Sequence, residues 1–291
     1  MTTTAPGGTI TPAADLTLSR MGFGAMQLAG PGVFGPPRAA RRWPRRGRGA
    51  VEQGITHIDT ADFYGPHITN QLIREALHPY PAGLHIVTKV GAVRDAQGGW
   101  VQDREPAQLR AQVHDNLATL GVDVLDVVNL RVGGGDDGHS PVPGPIAGKF
   151  SALAELQQQG LIRHLGVSTV DAEQVAEAQS IAPIVTVQNY YNVAHRGDDP
   201  LLDSLAAQDI AYVPYFPLGG FTPLQSGVLD QVAARIGATP QQTALAWLLQ
   251  RSPAIALIPG TSSLGHLREN IAAAALVLSD DVVKELDGIG G

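Results

Sequence analysis

Two rhythms alternate along this chain. Short apolar runs fall at Leu18 to Met26, Ile55 to Ile58, Leu84 to Lys89, Val124 to Leu130, Ile162 to Ser168, Ile184 to Gln188, Ile210 to Tyr215 and Ala256 to Pro259. Runs apolar at successive positions, rather than at every second one, read as strands buried on both faces. Between them lie segments with helical spacing. Pro106 opens one, with Leu109, Val113, Leu117 and Leu120 on one stripe and Gly121 closing it. Another runs from Ser151 to Gln159 and stops at Gly160. Asp171 with Gln174, and Thr239 with Gln242, form capping boxes, the second with Pro240 as first helical residue. Pro200 starts a further helix, Leu264 to Asn270 is a short one, and Ser279-Asp280-Asp281 caps the last. Every strand but the last is followed by room for a helix, and no linker divides the chain. That pattern predicts a parallel sheet, and eight such units predict a single (β/α)8 barrel over residues 15–291, an α/β fold. A two-domain doubly wound protein is the alternative. Residues 1–14, rich in Thr, Gly and Pro, are expected to be a flexible tail.

One segment breaks the rhythm. Arg38, Arg41, Arg42, Arg45, Arg46 and Arg48 crowd residues 36–50 together with Pro44, Gly47 and Gly49. A helix belongs between the first two strands, but proline and glycine oppose one there and no apolar stripe is visible. The segment reads as a solvated stretch, or as a basic patch for an anionic partner.

Totals narrow the function. The net charge of −7 argues against a nucleic-acid binder. No run is long and apolar enough for a membrane span, and the N-terminal stretch lacks the basic and apolar regions of a secretory signal. With no cysteine there is neither disulfide nor thiolate metal site, as expected of a cytoplasmic protein. The nine histidines lack metal-ligand spacing, so no metal is expected.

The chemistry concentrates at strand ends. His57-Ile58-Asp59-Thr60-Ala61-Asp62-Phe63-Tyr64-Gly65 places a carboxylate where a strand stops and a phenol five residues on. The next run ends in Lys89 and leads into a polar, glycine-containing loop, Val90 to Gln102, which with the loops at 133–148 and 220–226 is expected to shape the pocket. Singly, each could be a salt-bridged strand end or a surface tyrosine. Together, an acid, a phenol and a cation at one barrel mouth can move a proton. Asn129, Ser168, Gln188 and Tyr215 fall at the same end of their own strands. Gly24, at the end of the first strand, lets backbone approach a ligand, although no GxGxxG fingerprint follows.

These residues resemble the aldo-keto reductase family. The nonapeptide at 57–65 is the most specific piece. Thr88-Lys89, Gly166-Val167-Ser168-Thr169, Gln188-Asn189, Tyr215-Phe216-Pro217-Leu218-Gly219 and Ile258-Pro259-Gly260-Thr261 join it in matching order and spacing. Within the family, residues 24–37 and 127–131 look like a bacterial branch that includes pyridoxal reductases. The resemblance implies hydride transfer from NADPH to an aldehyde or ketone, pyridoxal to pyridoxine being the leading candidate. Broad aldehyde reduction is the alternative within that class, and a nicotinamide-binding redox-sensing regulatory subunit is the alternative outside it. Tyr64 would donate the proton, Lys89 would lower its pKa, and Asp59 would hold Lys89. Asn129 would stand where family members carry histidine and would donate to the carbonyl oxygen, and Trp100 would line the substrate pocket. Gly24, Ala25 and Met26, with Ser168, Thr169 and Gln188, would sit against the nicotinamide. Tyr215 would stack on its ring, with Phe216 beside it. Leu218 and Gly219 would cross the pyrophosphate, Gly260, Thr261 and Ser262 would meet a phosphate, and His266, Glu269 and Asn270 would lie at the adenosine end. The partner is a small-molecule carbonyl substrate, and the chain is expected to be a monomer or weak homo-oligomer.

Overall fold

The computed structural model describes residues 4–37, 43–135, 138–220 and 224–290. Seven parallel strands run side by side: β3 (Phe23–Gly24), β4 (His57–Asp59), β5 (His85–Val90), β8 (Leu125–Arg131), β9 (Ile162–Ser168), β10 (Ile184–Gln188) and β11 (Ala211–Tyr212), in the order β11-β10-β9-β8-β5-β4-β3. Residues 255–260 close the ring as the eighth member. Ile255 bridges Tyr212 on one side, while Leu257 and Gly260 bridge Met21 and Gly24 on the other, all parallel. The expected (β/α)8 barrel is thus what forms, in a single domain. Closure depends on Gly24, where a Cβ would stand 2.3 Å from the Ile258 carbonyl oxygen.

Helices α1 (Trp43–Glu52), α2 (Ile68–Leu77), α3 (Pro106–Leu120), α4 (Ala147–Gln158), α5 (Ala172–Ile181), α6 (Asp199–Ala206), α7 (Gly227–Ile236), α8 (Pro240–Arg251), α9 (Leu264–Ala273) and α10 (Asp280–Asp287) surround the barrel. The expected local signals do their work at α3, where Gly121 sits in the left-handed region, and at α5 and α8, where both capping boxes are complete. At α10 the Ser279 hydroxyl makes no cap bond, and Asp280 and Asp281 supply first-turn charge instead. Helix α4 starts four residues before Ser151, at Ala147, because the Glu177 carboxylate accepts from the Ile146 and Ala147 N–H groups.

Four expectations need correction. The strand read as Leu18 to Met26 is two. β2 (Leu16–Ser19) pairs antiparallel with β1 (Thr9–Ala13), and only Phe23–Gly24 joins the barrel. The break falls at Arg20, whose guanidinium donates to the carbonyls of Leu249, Ser252 and Ile255. Residues 9–13 of the expected tail are therefore a strand. Leu16 and Leu18 pack against Val87, Val127 and Val185 inside the barrel floor, with Ile10 and Ala13 against them. That burial repays the ordering cost. Residues 1–3 lie outside the described ones. The arginine-rich segment, read as unfavourable to a helix, carries α1. Pro44 falls in its first turn, where no N–H is needed. Ala50 is fully buried, and Arg48 donates to the Ala76 carbonyl on α2. Arg38, Arg41 and Arg42 lie outside the described residues. Finally, the stretch from Val90 to Gln102, read as a loop, contains the hairpin β6 (Ala92–Arg94) and β7 (Trp100–Gln102).

Gly24→Ala is expected to destabilise the protein by about 1–3 kcal/mol through overpacking against residue 258. Urea denaturation measures this, and an unchanged midpoint would contradict the closure described.

Candidate active site

At the C-terminal mouth of the barrel lies a cavity of about 570 Å³. Its floor is a buried ion pair. Lys89, the last but one residue of β5, meets Asp59 at the end of β4, donating from Nζ to Asp59 Oδ1 at 2.5 Å and to the Thr60 carbonyl at 2.9 Å. The second carboxylate oxygen accepts from Gln188 Nε2 at 2.8 Å. Tyr64 completes the set, with Lys89 Nζ 5.2 Å from its ring centre and within bonding reach of its hydroxyl. Behind these residues a polar network braces the strands. Thr60 donates to Asn70, and Asn70 and Thr88 both donate to Asn116 on α3.

The charges shift one another. Burial pushes the Tyr64 phenol up, and Lys89 pulls it down by less, so the net direction is upward. The expectation that Lys89 would bring it below its ordinary value is corrected: a nearly water-free phenolate costs more than one ammonium beside Asp59 returns. Burial alone would lower Lys89, but Asp59 and Tyr64 outweigh it and hold the ammonium charged. Two positions before Asp59, His57 is fully buried with neither ring nitrogen bonded. Burial, then the charges of Lys89 and His85, bring its pKa down to about 3, so the ring is neutral.

The structure gathers many of the expected residues. Asp59, Tyr64, Lys89, Trp100, Gly24, Met26, Gln188, Tyr215, Phe216, Leu218 and Gly260 all line the cavity. Trp100 lies edge-on to Phe63 and Tyr64, and the Arg94 guanidinium sits 4.0 Å from its ring centre. Tyr215 is backed by the nearly parallel ring of Tyr190 at 5.8 Å. Others stand apart. Ala25 is buried behind the mouth, its N–H donating to the Asp59 carbonyl. Ser168 and Thr169 are fully buried and do not line the cavity, and Gly219 sits in the turn beside its rim. Thr261 accepts from the Ser263 N–H ahead of α9. Ser262, His266 and Glu269 are exposed, Asn270 is buried, and all four lie away from the cavity on or just before α9.

Asn129 is a correction. It is fully buried below the cavity, where its Oδ1 accepts from Thr186 Oγ1 at 2.7 Å. Only glycine at 166 leaves room for that side chain, since a Cβ there would stand 2.0 Å from Asn129 Oδ1. The residue that β8 presents to the cavity is Arg131, two positions on. Strand side chains repeat every second residue, so Asn129 and Arg131 share a face and the later one is nearer the mouth. That period was the signal available in the sequence. Arg104, Gln102 and His139 also line the cavity and carry no local motif. Residues 136–137 and 221–223, in loops expected to shape the pocket, lie outside the described residues. Among the described residues no group of three or more His, Cys, Asp or Glu could hold a metal, and no helix is long and apolar enough to cross a membrane.

Comparison with known proteins gives a consistent picture. Residues 20–290 match the Aldo/keto reductase family. The chain is 62% identical to pyridoxine 4-dehydrogenase of Escherichia coli (strain K12), over 94% of this chain and 95% of that one. Among solved structures, a thermostable aldo-keto reductase in complex with epalrestat superposes with a TM-score of 0.79 at 30% identity, covering 96% of this chain and 98% of that one. An aldo-keto reductase from Klebsiella pneumoniae in complex with NADPH gives 0.75 at 25% identity, covering 94% and 92%.

A pH prediction follows from His57. In the unfolded chain it takes a proton near 6.5, but in the native protein not until about 3. Its stabilising contribution is therefore full above 6.5 and lost as the pH falls towards 3. The stability difference between wild type and His57→Gln, measured by denaturant titration, should narrow over that window. A difference independent of pH would contradict a neutral buried ring.

Proposed function

The chain belongs to the aldo/keto reductase family, and on that premise we propose that it reduces the aldehyde of pyridoxal to the alcohol pyridoxine with NADPH. The observation that carries this reading is the buried Asp59–Lys89 pair with a protonated Tyr64 at the floor of a cavity. The substrate is supported by the pyridoxine 4-dehydrogenase likeness over nearly the whole chain.

The residues fit a nicotinamide. Gln188 lines the cavity with its Oε1 buried and lacking a donor, which a carboxamide N–H would supply. The Tyr215 ring offers an apolar face, and the N-terminus of α9 suits a phosphate. When bound, NADPH supplies the hydride that adds to the carbonyl carbon. As the carbonyl oxygen gains negative charge, the Tyr64 hydroxyl gives it a proton. Its raised pKa keeps that proton available across the neutral range. The phenolate left behind lies beside the Lys89 ammonium, which stabilises it, while Asp59 and the Thr60 carbonyl keep Lys89 in place. One hydride and one proton turn the aldehyde into the alcohol. Burial of the floor excludes water from the transfer.

The same reading makes the protein a cytoplasmic enzyme of small-molecule carbonyls, acting as a monomer or weak homo-oligomer.

Tyr64→Phe tests the proton donor. With pyridoxal, NADPH consumption should fall by roughly 10²- to 10⁴-fold in kcat, while NADPH binding, followed by fluorescence, persists. Undiminished turnover would remove Tyr64 from the chemistry.

A further inference from the structure

One wall of the cavity is not held by burial. Trp100, Val101 and Gln102 form β7, and all three line the cavity while staying exposed, Trp100 at 48%. The strand pairs with β6 at three positions, Ala92 with Gln102, Val93 with Val101 and Arg94 with Trp100. A two-stranded hairpin of that length is marginal on its own in water. Yet the Trp100 ring stands edge-on to Phe63 and Tyr64, with ring centres 5.8 Å and 6.5 Å away. A further contact has to keep it there.

Arg94 supplies that contact. It lies directly across from Trp100, on the same face of the hairpin. Its guanidinium is 4.0 Å from the Trp100 ring centre and 5.4 Å from that of Phe34. The same group is fixed by carbonyls of two segments. Nη1 donates to Val33 at 2.6 Å, Nη2 to Gly32 at 2.9 Å and to Gly98 at 2.6 Å, and Nε to Gly98 at 3.2 Å. The two segments also touch directly. Gly98, at φ 81°, leaves room for the Phe34 ring, where a Cβ would stand 3.3 Å away. Asp95 Oδ1 holds the turn by accepting from the Gln97 and Gly99 N–H groups. The Val33 carbonyl accepts in addition from the Gly65 N–H, next to Tyr64.

Arg94 itself does not line the cavity. A planar fork can donate to three carbonyls in its own plane while its face covers a ring, which a lysine ammonium cannot do. We propose that Arg94 is a positioning residue that clasps residues 32–34 and the turn at Gly98 together, and so fixes Trp100 as the wall against which the ring of an aromatic aldehyde binds. Through Trp100 it sets the preference for aromatic over small aliphatic carbonyls. The inference rests on the carbonyl-reductase reading for its turnover arm only.

The test follows NADPH-dependent reduction of pyridoxal, benzaldehyde and propanal. The proteins are wild type, Arg94→Met, Arg94→Lys, Trp100→Ala and the double variant Arg94→Met with Trp100→Ala. In Arg94→Met, KM for the two aromatic aldehydes should rise roughly 3- to 30-fold, with kcat held within about twofold. Propanal, which offers no ring to the wall, should keep both constants. In the Trp100→Ala background the same arginine change should add nothing, because the ring it acts through is gone. Arg94→Lys should recover only part of the loss. It also carries the comparison if the methionine variant does not fold, since a wild-type KM for pyridoxal there would overturn the clasp. Apart from turnover, acrylamide should quench the tryptophan emission that Trp100→Ala removes more steeply in Arg94→Met than in wild type. An equal rise in KM for propanal, or a rise that persists without Trp100, would overturn the assignment by making Arg94 a general support of the fold. Quenching no steeper than in wild type would overturn it as well. Absence of turnover with all three aldehydes, alongside steeper quenching, would sink the reductase reading and leave the clasp standing.

Discussion

The Asp59–Lys89 ion pair is the constraint on which the rest of the site depends. Both groups are almost completely buried, and a charge so placed survives only if it is paired and hydrogen-bonded. Each partner meets that condition through a different strand. Asp59 ends β4 and takes a bond from Gln188 on β10, across the barrel, while Lys89 reaches back to the Thr60 carbonyl. The pair therefore ties three barrel strands at their C-terminal ends. Removing either partner would leave an uncompensated buried charge, at a cost of about 3–5 kcal/mol. Stability and proton chemistry thus draw on the same two side chains.

Around this pair the interior is graded from bottom to top. The floor is apolar, with Leu16 and Leu18 of the β1–β2 hairpin plugging it against Val87, Val127 and Val185. Neutral His57 and Asn129 form a buried polar layer above, with Thr186 bonded to Asn129. The charged layer of Asp59, Lys89 and Tyr64 comes next, and the arginines and aromatic rings lie at the rim. Polarity rises towards the side where a ligand enters, so the transfer of a proton is confined to the layer where water is least available.

Much of this was legible in the sequence, for definite reasons. Long apolar runs separated by capped helices led to the barrel, and strand-end position alone led to Asp59, Lys89, Gln188 and Tyr215. What was hidden depends on three dimensions. Arg131 could not be preferred over Asn129 without knowing where β8 leaves the barrel. Whether residues 9–13 form a strand turns on the barrel floor that they seal. The helix at Trp43–Glu52 draws little from its own proline- and glycine-rich sequence and is held by packing through Ala50 and a bond from Arg48. The direction of the Tyr64 shift was misjudged because a neighbouring cation is visible in a sequence and the extent of burial is not.

The central claim is that Tyr64 is the proton donor and that burial keeps it protonated despite Lys89. The most direct measurement is the pH dependence of kcat/KM for a non-ionising aldehyde such as benzaldehyde. Activity should hold through the neutral range and decline only above about pH 10, where an ordinary tyrosine begins to ionise. A decline with its midpoint well below that value, near that of an ordinary histidine or thiol, would show either that Lys89 outweighs burial or that another group gives the proton.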